Sequence, residues 1–302
     1  MLTRTSLGQR PLLTAALGAM CIASSGVLVR LADASPVTVA IFRCLYALPV
    51  LGAITWWEQK RLGPLPSKAR NLSWFAGLFF TVDLVLWHNA IEAVGAGLAT
   101  VLGNLQVLIV GFAAWALLKE KPHRTLFMAI PVVLFGVVLI SGVVGEGAYG
   151  NDPTLGVILG LGTSLAYAAF ILTLRQGSSD LSRIAGPLFH ATLASVVFSA
   201  IYGVLTDSVD WSFDWPSHGW LITLALSAQV MGWLLISSSL PRLPAAVTSV
   251  VLLLQPVGSM ILAALVVDER PSAAQLAGAV AILAGVVVAT SSHREAQPTP
   301  VT

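Results

Sequence analysis

Residues 118–122 read LKEKP and residues 267–271 read VDERP, 149 positions apart (267 − 118). Each closes a long apolar run. The same spacing sets Gln106, in LGNLQVLIV, against Gln255, in VLLLQPVGS, and Gly136 against Gly285. Toward the N-terminus the spacing drifts by no more than four residues, as changes in loop length produce. At 147, AIFRCLYAL (40–48) meets PLFHATLAS (187–195), which aligns Phe42 with Phe189 and Arg43 with His190. At 146, DLVLW (83–87) meets QVMGW (229–233), and at 145 Arg30 meets Arg175. Common order and near-constant spacing read as an internal duplication.

What is duplicated is greasy. Of 302 residues 56% are hydrophobic and 10% charged, with a mean hydropathy of +0.85. A soluble domain carries far more charge than that. Ten apolar runs are long enough for helices that span about 30 Å of hydrocarbon: 11–31, 36–57, 71–93, 95–117, 122–141, 153–174, 184–206, 218–239, 244–266 and 271–291. They are too long and too uniformly apolar for barrel strands. The expected class is therefore all-α, a polytopic membrane protein of ten transmembrane helices. Residues 1–145 hold the first five-helix repeat and 153–291 the second, with 292–302 a disordered cytoplasmic tail. Five is odd, so the second repeat enters the membrane in the opposite sense. Two inverted repeats around a central cavity permit exchange between two open states, which points to transport.

Lys and Arg set the orientation. Counting loops alternately, one side holds Arg4, Arg10, Lys60, Arg61, Lys68, Arg70, Lys119, Lys121, Arg124, Arg175, Arg183, Arg242 and Arg294. The other side holds only Arg30 and Arg270, with Asp33, Glu92, Glu146, Asp152, Asp207, Asp210, Asp214, Asp268 and Glu269. Both termini are expected in the cytoplasm, and the first run is expected to stay as an uncleaved helix of the plasma (inner) membrane. Seven of the nine tryptophans (56, 57, 74, 115, 211, 215, 220) fall near proposed helix ends, as an interfacial belt. Trp87 and Trp233 do not. Cys21 and Cys44 read as small packing residues.

Five-plus-five helices, an arginine early in the second helix (FRCLYALPV) and Glu-containing turns closing the fourth and ninth (KEKP, DERP) resemble the EamA-type carriers of the drug/metabolite transporter superfamily. The resemblance spans roughly residues 11–291. The family's turns usually read Gly-Glu, against Lys-Glu and Asp-Glu here. A proline often found midway along helix 4 is absent at Val107, while its counterpart Pro256 is present. The resemblance implies a central cavity lined by helices 1–4 and 6–9, with helices 5 and 10 peripheral. It also favours export.

Polar groups inside such helices cost about 2.5–3.5 kcal/mol when charged, so they face partners or a wet cavity. Asp83 lies near the midplane of helix 3, with Gln229 its counterpart in helix 8. Trp87 stands one turn outward from Asp83 and Trp233 one turn inward from Gln229, as two brackets around a substrate. Asp83 either satisfies Arg43 as an ion pair or meets the charged end of a substrate, and is a candidate proton carrier. His88 and Glu92, spaced i, i+4, suit a hydrogen bond at the wet helix end; a metal would need further ligands, and none is expected. His190 lines the inner vestibule or bonds a neighbouring backbone. Asn104, Gln106 and Gln255 either hydrogen-bond across helices or present amides to a ligand. Pro256 is expected to free a carbonyl near Leu252. Tyr167, with Thr163 one turn before it, adds hydroxyls. Gly156, Gly160, Gly278 and Gly285 read as close-packing positions, with a homodimer contact among the options, and Glu120 and Glu269 as organisers of their turns.

No Walker, GxSxG or HExxH motif is present, so neither an enzyme nor a cofactor is expected. The expected partners are a small-molecule substrate and the bilayer, not nucleic acid. The expected function is a secondary transporter exporting a small polar or amphipathic metabolite, such as an amino acid, by alternating access. Efflux of organic cations or drugs is the alternative within the class. A non-transporting scaffold or channel subunit is the alternative outside it.

Overall fold

A computed structural model describes residues 11–106, 108–110, 124–142, 144, 147–178, 180, 182–239 and 254–291, and every regular element among them is helical. Expectations resting on Arg4, Arg10, Val107, Trp115, Lys119, Glu120, Lys121, Glu146, Arg242, Leu252, Arg294 and the tail lie outside those residues. The elements are α1 (Pro11–Ala23), α2 (Ser25–Ala32), α3 (Pro36–Leu62), α4 (Ser67–Val94), α5 (Ala96–Gly103) and α6 (Arg124–Ile140). They continue with α7 (Pro153–Gly177), α8 (Ala185–Leu205), α9 (Ser217–Leu224), a π-helical segment (Ala225–Gly232), α10 (Trp233–Ser239), α11 (Leu254–Val266) and α12 (Ala273–Ser291). Each of the ten apolar runs holds helix. Six stretches are long and apolar enough to cross a membrane: Pro11–Ala32, Pro36–Leu62, Ser67–Val94, Pro153–Gly177, Ala185–Leu205 and Ser217–Ser238. The other four runs hold shorter apolar helices.

Local chemistry explains where the helices run on, bend and stop. α3 continues past its apolar run because Lys60 and Arg61 fold back over the rings of Trp56 and Trp57, at 3.7 and 3.6 Å from their centroids. The first run breaks at Ser24. There the hydroxyls of Ser24 and Ser25 donate to the carbonyls of Cys21 and Ile22 (2.7 and 2.6 Å), competing with the helical ladder. α4 stops at Gly95, whose φ of +89° suits glycine and opens α5 directly.

Helix ends gather on two faces. An acidic face carries Asp33, Glu92, Asp152, Asp207, Asp210 and Asp268. It is laced by Asp152 N–H to the Ala93 carbonyl (3.1 Å), Ser35 to the Ser208 carbonyl (2.7 Å) and Ser217 to the Ala32 carbonyl (2.5 Å). A basic face carries Lys60, Arg61, Lys68, Arg70, Arg175 and Arg183. Between them α3 packs on α8, α4 on α7 and α8, α5 on α11, and α6 on α12, while α1 packs on the π segment and α10. Small residues permit the closest approaches. A Cβ on Gly278 would lie 2.6 Å from the Gly136 carbonyl, and Gly156, Gly160 and Gly285 meet Val94, Leu102 and Val133. All four glycines are therefore used by packing within the chain.

Candidate functional site

Arg43 and Asp83 lie two turns and more inside their helices, and both are buried. The structure does not bring them into ion-pair contact. Among the described residues the ion pairs are Arg183–Asp180 (3.1 Å) and Arg270–Asp268 (2.9 Å). Arg43 instead donates through Nη2 to Oε1 of Gln229 at 3.4 Å, and Gln229 donates onward to the Thr192 hydroxyl at 3.1 Å. An amide is the natural go-between, because it accepts from the guanidinium and donates to the hydroxyl. Gln229 is fully buried within the π segment, where one wider turn re-aims the side chains that follow.

This arrangement leaves capacity unused. Nε of Arg43 is sealed from solvent with no acceptor. The Asp83 carboxylate accepts no hydrogen bond among the described residues, yet it feels the Arg43 charge, as does the Tyr167 phenol. A buried cation, a buried carboxylate and a phenol share one region, and each keeps open positions.

Rings line its edge. Trp233 meets Phe170 at 5.3 Å, Tyr167 at 6.2 Å and Phe80 at 6.5 Å between centroids, and Phe80 stacks on Phe170 at 4.5 Å. Phe80 is one turn from Asp83, and Phe170 one turn from Tyr167, so each aromatic wall shares a helix face with a polar group. The sequence reading missed Phe80 and Phe170. Their i, i+3 relation to Asp83 and Tyr167 was the available signal.

Trp87 is half-buried and packs on a different apolar cluster, around Val27 and Ala90, so the two indoles do not meet. His88 corrects the expected pairing with Glu92. Its Nδ1 lies 3.0 Å from the Pro36 carbonyl, Nε2 is buried without a partner, and Glu92 is exposed. The last turn of α4 leaves the carboxylate in water, while the imidazole faces the start of α3. His88, Glu92, Arg30 and Asp33 line a cleft of about 50 Å³. Among the described residues no three His, Cys, Asp or Glu side chains gather as metal ligands would.

The amides also depart from cross-helix bonding. Asn104 terminates α5 and turns back to its own helix, donating to the Thr100 carbonyl at 2.9 Å. The Leu102 carbonyl in that last turn accepts from the Ser164 hydroxyl of α7 at 2.8 Å. Gln106 and Gln255 are buried and make no hydrogen bond among the described residues. Thr163 is buried with its hydroxyl unpartnered. His190 is half-buried against Phe189, its Nδ1 without the backbone bond considered for it.

Two carboxylates are used structurally. Glu58, unremarked in the sequence, accepts from the N–H groups of Ile184, Ala185 and Gly186 at 3.0, 2.9 and 2.9 Å, capping α8. Arg183 returns the favour at the C-terminus of α3, donating to the carbonyls of Leu62 and Gly63. Glu269 does not serve its own turn, which Asp268 and Arg270 brace. It accepts from Ala96 and Gly97 N–H at 2.7 and 3.2 Å, capping α5.

The EamA-like transporter family matches the chain twice, over residues 9–142 and 154–291. YwfM, an uncharacterized transporter of Bacillus subtilis (strain 168), is 22% identical over 277 residues, 87% of each chain. YetK, a second uncharacterized transporter of that organism, is 23% identical over 233 residues, 75% of this chain and 68% of its own. One crystal structure, 16% identical, superposes with a TM-score of 0.61 over 95% of this chain and 98% of that one, a likeness of fold.

Proposed function

Because this chain belongs to the EamA-like transporter family, we propose that it is a secondary carrier for a small zwitterion, an amino acid in the first instance. It is a multi-pass membrane transporter and not an enzyme. The finer reading has ten spans arranged as two inverted five-helix repeats around a central site that opens to each side in turn. The basic face and both termini lie in the cytoplasm, and flux runs outward. Two family matches, one to each half, support the duplication, and the odd number of apolar runs in each half supports the inversion. The bias of Lys and Arg supports the orientation.

One observation carries the choice of substrate class. Arg43 and Asp83 are a basic and an acidic side chain buried within each other's field, with no hydrogen bond between them. A zwitterion supplies the missing partners: its carboxylate for Arg43, its ammonium for Asp83. The Phe80, Tyr167, Phe170 and Trp233 rings would take an apolar side chain and hold the ammonium over a π-face. An organic cation would use Asp83 and the rings but leave Arg43 uncompensated, a costly ground state.

The test is uptake into proteoliposomes, screened over amino acids, nucleosides and cationic dyes, with Arg43→Gln, Asp83→Asn and Trp87→Ala alongside. Saturable, counterflow-competent amino-acid flux lost in both charge variants supports the reading. Dye flux that survives Arg43→Gln and fails in Asp83→Asn would move the assignment to cations. Full pH dependence in Asp83→Asn would remove that carboxylate as a proton carrier.

A further inference from the structure

The acidic face is closed between α2, α5 and α11. A Cβ on Gly26 would lie 2.9 Å from that of Ala96, and one on Gly97 would lie 3.0 Å from the Met260 backbone. Thr100 and Ser259 hydroxyls meet at 3.1 Å, and Ser259 donates to the Ala96 carbonyl at 3.3 Å. Over this seam sits Glu269, 2% exposed, its two oxygens on the first two N–H groups of α5. A Cβ on Gly95 would come within 2.8 Å of the carboxylate, so glycine is what lets it approach.

A carboxylate on a helix N-terminus is a strong electrostatic contact. It is also one that water can replace when the two elements part. The other carboxylate cap differs in this respect. Glu58 joins α3 to α8, a pair also tied at its opposite end, where Ser35 donates to the Ser208 carbonyl and Asp210 N–H to Thr38 (2.7 and 2.9 Å). Fastened at both faces, α3 and α8 cannot separate at one of them. Among the described residues, α5 and α11 are joined at the acidic end.

We propose that Glu269 is the latch of a gate on the acidic face: its carboxylate holds α5 against α11 while the site is closed to that side, and releases Ala96 and Gly97 to water when it opens. The α3–α8 pair is the fixed axis. This rests on the alternating-access reading, but not on which solute is carried.

The test uses the full-length protein in proteoliposomes, with Cys21 and Cys44 replaced and Thr163→Cys as reporter. Thr163 is buried, one turn from Tyr167 toward the acidic face. A membrane-impermeant maleimide is applied from the acidic side. Glu269→Ala and the conservative Glu269→Gln should each speed labelling about tenfold or more, the population shift expected when charge-assisted bonds are lost from one state only. Glu58→Gln should not. Gel filtration identifies folded variants, and Glu269→Gln stands if Glu269→Ala does not fold. Unchanged labelling in a folded Glu269 variant overturns the latch, as does equal acceleration by Glu58→Gln, which would mean general loosening. If the parent reporter is labelled from both sides while Glu269 variants change nothing, the latch fails and the carrier reading stands. If it is labelled from neither side with any solute present, both fail.

Discussion

Glu58→Ala should be among the most destabilising single substitutions in the chain. It removes one acceptor group from three amide donors at the start of α8 (3.0, 2.9 and 2.9 Å). The bonds to Ala185 and Gly186 are buried, whereas Ile184 is closer to water. An orphaned buried donor costs about 1–3 kcal/mol, and loss of an N-cap about 1 kcal/mol. These terms overlap, so about 3–5 kcal/mol is expected for Ala. Glu58→Gln, which keeps one acceptor oxygen and loses the charge, should cost about 1–2 kcal/mol. Unfolding of the purified protein by SDS titration in mixed micelles measures both. A loss below about 1 kcal/mol for Glu58→Ala would show that water replaces the carboxylate freely, and the brace between α3 and α8 would lose its energetic basis.

Two further outcomes follow from the same geometry. Gln229→Leu removes both the Arg43 and the Thr192 bonds; hydrogen bonds between membrane helices average about 0.6 kcal/mol, so stability should fall by about 1 kcal/mol while the KM of the transported solute rises several-fold. Equal KM in variant and parent would mean that Gln229 does not position the guanidinium. Asp180, in the loop before α8, is held below the usual carboxylate range chiefly by the Ser182 hydroxyl and amide. Its folded value lies below the unfolded one, so its contribution is present above the unfolded value of about 3.8 and fades as pH falls through the folded one. Asp180→Asn should accordingly lower stability at pH 6 and by progressively less as the pH falls below 3.8, as urea or SDS titrations over a pH series would read.

The helical runs, six of them long and apolar enough to cross a membrane, and the twofold repeat of one family pattern were legible in the sequence because each is a sum over local residues. Hydropathy accumulates over about 20 positions, and a repeated Gln or Gly needs only alignment. Much of the polar constellation was legible too: Arg43, Asp83, Tyr167, Gln229 and Trp233 stand out as charges, amides and rings inside apolar runs. Which of them touch was not. Of the two readings of Asp83, the ion pair with Arg43 gives way to Arg43–Gln229–Thr192, and the expected His88–Glu92 bond to His88–Pro36.

What tertiary structure alone decided is the choice of partner. Glu58 finds its donors 126 to 128 residues away, and Glu269 finds its own 173 and 172 residues back along the chain. A lone carboxylate near a helix end looks the same in sequence whether it meets water or an opposing N-terminus. The π turn that carries Gln229 is equally silent, since widening a helix by one residue leaves composition untouched. Burial in lipid is a property each segment has by itself, so sequence determines it. A cap, a latch or an open guanidinium belongs to two segments at once, and only their packing settles which.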